Sequence, residues 1–174
     1  MPNVIAIANQ KGGVGKTTTA VNLAASLALA EKRTLLIDGD PQGNATSGIG
    51  VERGTFDTTT YHVLLREASI PDARKIGVQF PRLDVLPATP DLAGAEVELV
   101  NVSGRESRMR EAITLVRDDY EFILIDCAPS LGLITLNMLA AANPTLSTLQ
   151  CEYSALKTLG RPLTHVRLPL HRVT

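Results

Sequence analysis

Tryptophan is absent, and phenylalanine and tyrosine together supply only 3% of the residues. A core must therefore rest on Ala, Val, Leu and Ile, and no run of aromatic side chains offers a stacking platform for bases. Cysteine is almost as scarce. Cys127 and Cys151 are too few for a disulfide framework and lack the spacing of a metal site. Cys127 ends an apolar run and reads as a buried structural thiol. Charge of one sign is not in excess: 17 Lys and Arg face 18 Asp and Glu, a formal net charge of −1. Any contact with nucleic acid would then need a local patch. No apolar stretch reaches the length of a membrane span, and Asn3-Val4-Ile5-Ala6-Ile7-Ala8 follows the N-terminus without a basic leader. These absences lead to the expectation of a cytoplasmic protein in a reducing setting.

What is present suits one α/β domain, since 174 residues at 44% hydrophobic can bury a sizeable core. Short apolar runs at Val4 to Ala8, Thr34 to Asp38, Leu83 to Leu86 and Phe122 to Asp126 read as buried parallel strands. Between them, Thr17 to Ala30 reads as a helix with Ala20, Leu23, Ala24 and Leu27 on its packed face. Helices are also expected at Thr58 to Glu67, Leu92 to Val102, Arg105 to Asp119 and Leu133 to Ala142. Within Arg105 to Asp119, Met109, Ile113 and Val116 should face inward. Residues 39 to 56, rich in Gly, read as a long functional loop. The opening β-loop-α-β unit predicts a right-handed parallel crossover, and ligands then belong at the carboxyl edge of the sheet.

The loop after the first run reads Gln10-Lys11-Gly12-Gly13-Val14-Gly15-Lys16-Thr17-Thr18. A phosphate loop of the form Gly-x-x-x-x-Gly-Lys-Thr would have glycine where Gln10 stands. Its physics is unchanged: small residues let backbone N–H groups curl around phosphate oxygens, and the following helix adds its positive end. Lys16 would neutralise phosphate charge and the Thr17 hydroxyl would ligate Mg²⁺. Asp38 and Asp40 alternate, so a continuing strand would point both to one face. Asp126 closes the run Phe122-Ile123-Leu124-Ile125 in the form of a Walker B acid, which holds the Mg²⁺ shell through water.

With Lys11 in place, Lys11-Gly12-Gly13-Val14-Gly15-Lys16-Thr17-Thr18 resembles the deviant Walker A motif of the ParA/MinD group. Leu36-Ile37-Asp38-Gly39-Asp40-Pro41-Gln42-Gly43-Asn44-Ala45-Thr46 narrows the resemblance to the ParA/Soj branch of partition ATPases. The stretches from Phe122 through Asp126-Cys127-Ala128-Pro129-Ser130-Leu131-Gly132, and Gln150-Cys151-Glu152-Tyr153, are similar to that branch as well. The resemblance implies a P-loop NTPase-like three-layer sandwich, a mostly parallel sheet with helices on both faces. It implies ATP and Mg²⁺ as ligands, an ATP-sandwich dimer, a ParB-type partner and association with the nucleoid. By the same resemblance, Lys11 reaches the partner's phosphates as an arginine finger would. Asp40, in switch I with Asp38 and Pro41, orients the attacking water. Asp126 and Pro129 belong to switch II.

The family pattern extends past residue 174, so the expected fold lacks the family's last strands and helices. Those segments carry adenine contacts and the basic residues for nonspecific DNA binding, which leaves DNA binding open. Pro144, Ser147 and Thr148 weaken the strand expected between Asn143 and Leu149. The expected division is an ATPase domain over residues 1–160 and an atypical basic tail over 161–174. In that tail Leu163, Val166 and Leu170 keep a helical spacing that Pro162 and Pro169 interrupt. No acid follows Glu152, against Lys157, Arg161, Arg167 and Arg172. This reads either as a phosphate-backbone binder or, as the prolines favour, as a frayed end. His165 and His171 read as solvated. An open sheet edge would invite a dimer or larger oligomer. A nucleotide-binding interaction protein with little turnover is the alternative function. A MinD-like membrane-cycling ATPase would need an amphipathic C-terminal helix, which the Pro-interrupted tail does not offer.

Overall fold

Short apolar strands lie side by side in a parallel sheet. The computed structural model describes residues 2–52, 54–143 and the backbone of 145–147. The strands are β1 (Asn3–Ala8), β2 (Thr34–Gly39), β3 (Leu83–Leu86), β4 (Phe122–Cys127) and β5 (Thr145–Ser147). Their order across the sheet is β3-β2-β4-β1-β5, and every pairing is parallel. β4 is inserted between β1 and β2, so the first crossover passes over one strand.

Successive strand residues point to opposite faces, and here both faces are buried. Leu35 and Ile37 of β2, with Ile123, Ile125 and Cys127 of β4, enter one apolar cluster. Leu36 and Leu124, from the same two strands, enter the other. The first cluster is closed by α3 (Thr60–Leu65), α5 (Ala95–Glu98), α6 (Arg108–Thr114) and α7 (Leu133–Ala141). The second is closed by α1 (Lys16–Leu29) and α2 (Asn44–Gly48). A short α4 (Ile70–Ala73) adds Ile70 to the first cluster. The expected three-layer sandwich is therefore present. Each fully buried Leu or Ile contributes about 1.5–3 kcal/mol.

The details depart from the sequence expectations in four places. On α1 the buried row is Ala20, Ala24 and Ala28, while Leu23 and Leu27 are half-buried flanks. Methyl groups at i, i+4 spacing let the helix lie close on the sheet. The expected loop over 39 to 56 contains α2, which Gly43 opens with a φ of 62°. The expected helix over Leu92 to Val102 is a 3₁₀ turn at Pro90–Gly94 followed by α5. The Arg105 to Asp119 helix begins as 3₁₀ at Arg105–Ser107, and α6 ends at Thr114. Met109, Ile113 and Val116 are buried as expected. Of the weakened strand, residues Thr145–Ser147 pair with Ala6, Ile7 and Ala8. Pro144, Thr148, the Gln150-Cys151-Glu152-Tyr153 stretch and the basic tail with His165 and His171 lie outside the described residues.

Candidate functional site

β1 hands the chain to a loop that turns on two glycines in the left-handed region, Gly13 at φ 72° and Gly15 at φ 81°. That backbone is strained for other residues. A Cβ at Gly12, Gly13 or Gly15 would meet nothing within 4 Å. The surface above the loop is thus open, and conformation rather than crowding demands glycine at 13 and 15. Val14 is buried, while Lys11, Gly12 and Gly13 are exposed. Thr18 is exposed and Thr17 half-buried at the start of α1. No acidic side chain lies in the first turn of α1 and no side chain caps it. Its positive end therefore remains available to an anion.

Lys16 is 7% exposed, although it carries a charge. Its Nζ donates to the Lys11 carbonyl at 3.2 Å, so the ammonium folds back over the loop. The Lys11 N–H in turn donates to Asn9 Oδ1 at 2.9 Å.

Asp126, near the end of β4, stands beside Asp38 of β2 in the strand register. It is fully buried, and neither carboxylate oxygen meets a donor at hydrogen-bonding geometry. Burial raises its pKa to about 7; the nearby Thr17 hydroxyl and Lys16 ammonium oppose the rise, and Asp38 and Asp40 add to it. The sheet edge thus brings the first turn of α1, Asp38, Asp40 and Asp126 into one electrostatic neighbourhood. Gly39 makes room for it: a Cβ there would lie 2.8 Å from the Asp126 carbonyl oxygen and 3.0 Å from Met138 Cγ.

Asp38 and Asp40 have different surroundings. Asp38 Oδ2 accepts the Thr46 N–H and the Thr46 hydroxyl, each at 2.7 Å, and its Oδ1 accepts the Asp40 N–H at 3.1 Å. Burial still drives its pKa upward against those donors. Asp38 therefore ties α2 to the sheet. Asp40 is 9% exposed and accepts the Gln42 N–H through Oδ1 at 2.9 Å. Its carbonyl accepts the Gly43 N–H, so Pro41 sits in the tight turn that launches α2.

At the end of β4, Cys127 is buried as expected, and burial pushes its thiol well above the usual range. Pro129, Ser130 and Leu131 are exposed in the link to α7. Sequence reasoning missed the partners that hold these loops. Thr46 anchors to Asp38, and its hydroxyl accepts the Ala88 N–H at 3.0 Å. The Thr60 hydroxyl donates to the Asp38 and Pro87 carbonyls. Glu96 accepts two N–H groups at the start of α7. Nothing local in the sequence marks any of these, since each partner comes from a distant segment.

Comparison with known proteins agrees with this geometry. The AAA domain family model matches residues 2–171. The chromosome partitioning protein ParA of Myxococcus xanthus is 57% identical over 162 residues, 93% of this chain and 56% of that protein. The sporulation initiation inhibitor protein Soj of Bacillus subtilis is 51% identical over 168 residues, 97% of this chain and 66% of that protein. The chain thus spans little more than half to two thirds of these relatives. The crystal structure of cobyrinic acid a,c-diamide synthase from Mycobacterium smegmatis, with bound ADP and magnesium, superposes with a TM-score of 0.90. It is 39% identical and matches 96% of this chain and 67% of its own. With the phosphate-type loop, the parallel sheet and these sequence matches in agreement, the chain belongs to the AAA domain family, within the ParA/Soj group of partition ATPases.

Proposed function

We propose that the chain binds Mg-ATP on the loop 10–18 and hydrolyses it as a partition ATPase that dimerises on nucleotide. Asp126 carries this reading. A buried carboxylate with no well-formed hydrogen bond is costly, and the groups that face it are the Thr17 hydroxyl and Lys16. A hydrated divalent cation between Asp126 and the Thr17 hydroxyl would relieve that cost, so the donor set fits Mg²⁺. When bound, Mg²⁺ would offset charge on the phosphate oxygens.

The chain's own groups do the rest. Backbone N–H groups of Gly12, Gly13, Val14, Gly15, Lys16, Thr17 and Thr18 would cradle phosphates at the open end of α1. Lys16 would exchange the Lys11 carbonyl for phosphate oxygen. Asp40, held in its turn, would accept a hydrogen bond from the attacking water and align it. Lys11, on the exposed crest of the loop, would meet the partner's phosphates and stabilise charge in the transition state. The ADP and magnesium in the Mycobacterium smegmatis relative support the ligand class. The likeness to the chromosome partitioning protein of Myxococcus xanthus supports the biological setting; to that setting the proposal adds a ParB-type partner and nonspecific DNA at the nucleoid. On this reading residues 1–160 are the ATPase domain and 161–174 a basic tail. Among the described residues no helix is long and apolar enough to cross a membrane.

The test separates binding from turnover. Lys16→Ala should abolish ATP binding, and Asp40→Ala should bind ATP but not hydrolyse it. Lys11→Ala should bind ATP yet remain monomeric. Wild-type hydrolysis by Asp40→Ala would overturn its role. A wild-type chain that binds ATP without turnover, with or without duplex DNA, would instead be a nucleotide-binding interaction protein.

A further inference from the structure

α7 begins directly after the exposed Pro129-Ser130-Leu131 link, and its start is held from a distance. Glu96 Oε2 accepts the Leu133 N–H at 2.8 Å, and Oε1 accepts the Ile134 N–H at 3.1 Å. These are two of the donors that a helix start leaves without partners, and a carboxylate bonds them strongly. The first turn of α7 contains no acid and no local side-chain cap. Glu96 thus supplies from 37 residues away what a neighbouring cap normally supplies.

Gly132 is the counterpart of Glu96. A Cβ at position 132 would lie 2.1 Å from Glu96 Oε1 and 2.7 Å from its Cδ. The Gly132 backbone, at φ −81°, suits any L-residue. Contact with Glu96, not backbone conformation, is therefore what calls for glycine. An alanine would fit only if Glu96 withdrew and gave up both bonds.

The segment that carries Glu96 is itself tied to the other loop of the site. At its beginning the Ala88 N–H donates to Thr46 Oγ1, and Thr46 donates to Asp38. Residues 87–98 are consequently bonded at one end to the element after Asp40 and at the other to the helix after Pro129. Lower down, Asn137 fixes the body of α7 by donating to the Arg105 carbonyl and accepting the Met109 N–H. With the helix body fixed, its first turn is the part Glu96 controls.

We propose that Glu96 is a positioning residue: by holding the N-terminus of α7 against Gly132, it sets the placement of residues 128–132 beside the nucleotide site. This rests on the ATPase reading above, and the experiment is chosen so that the two can fail separately. In the nucleotide-free protein, Glu96→Ala should speed amide exchange at Leu133, Ile134 and residues 128–132 at least 10-fold, with exchange in β4 unchanged. In steady-state assays it should lower kcat at least 10-fold while ATP affinity stays within twofold. Glu96→Gln, which keeps an acceptor oxygen, should recover part of both. Gly132→Ala should mimic Glu96→Ala, and the double variant should be no worse than Glu96→Ala alone, because the obstructing carboxylate is gone. Unchanged exchange at Leu133 and Ile134, or additive losses in the double variant, would overturn the proposal. So would an unchanged kcat in Glu96→Ala. If the wild type shows no turnover, the exchange arm and the additivity of unfolding free energies still decide it, and only the ATPase reading falls.

Discussion

Thr46 meets one oxygen of Asp38 twice, with its backbone N–H and its hydroxyl each 2.7 Å from Oδ2. That pair of bonds fastens α2 to the end of β2 and makes a buried carboxylate tolerable. Thr46→Val preserves the shape but removes a donor from the acid and an acceptor from the Ala88 N–H. The loss should be about 2–4 kcal/mol of unfolding free energy, since two buried polar groups are left short. Urea denaturation of the two proteins checks it.

Asp126 gives the nucleotide-free protein a pH dependence of defined sign. Its pKa rises from 3.8 to about 7 in the fold, with burial as the chief cause. The fold therefore binds this proton more tightly than the unfolded chain does. The stability it contributes is fully present below about pH 4 and is lost as pH rises through about 7. At about 1.4 kcal/mol per unit the full swing is on the order of 4 kcal/mol. Asp126→Asn should match the wild type near pH 4 and be the more stable protein at pH 8. Denaturation in a chelator at both values tests this, and a constant difference across pH would count against it.

The strands and the phosphate-type loop were legible in the sequence because their constraints are local. A strand buried on both faces must be an apolar run, as Leu35-Leu36-Ile37 is, and a loop at φ 72° and 81° must carry glycine at 13 and 15. Asp126 was legible as the acid that ends such a run. The long-range holding contacts were not. Asn44-Ala45-Thr46-Ser47-Gly48 has weak helix propensity, and α2 exists because Asp38 holds it from the sheet. Glu96 carries no local mark of its partners 37 and 38 residues onward. The helix expected through Asp119 stops at Thr114, where the chain closes into tight i, i+3 turns to reach β4.

Gly39→Ala should be costly although its backbone is ordinary. The added methyl would press on the Asp126 carbonyl at 2.8 Å and on Met138. Overpacking of this kind costs about 1–3 kcal/mol. A fall in Tm is expected, with weaker nucleotide binding because the contact lies beside Asp126.

At the opposite edge of the sheet, the Tyr120 hydroxyl donates to Asp84 Oδ2 and accepts from Arg74 Nη1, both at 2.6 Å. Burial, then Asp84, raises its pKa above the usual phenol range. Tyr120→Phe should cost about 1–3 kcal/mol of stability by leaving Asp84 and Arg74 short of a partner. Nucleotide affinity should not change, which titration calorimetry can test.

The alanine row of α1 sets the precision of the loop that precedes it. Ala20, Ala24 and Ala28 touch the sheet with a single methyl each, and a methyl has no alternative rotamer. The height of the helix above the sheet is thus fixed by main chain against main chain, as a spacer of one gauge. Ala28 stands about 18 Å along the axis from Lys16, at 1.5 Å per residue. A larger side chain there would act at the far end of a lever, tilting Gly15 and Lys16 out of line without touching them. The depth of the phosphate cradle is therefore gauged from the back of the molecule.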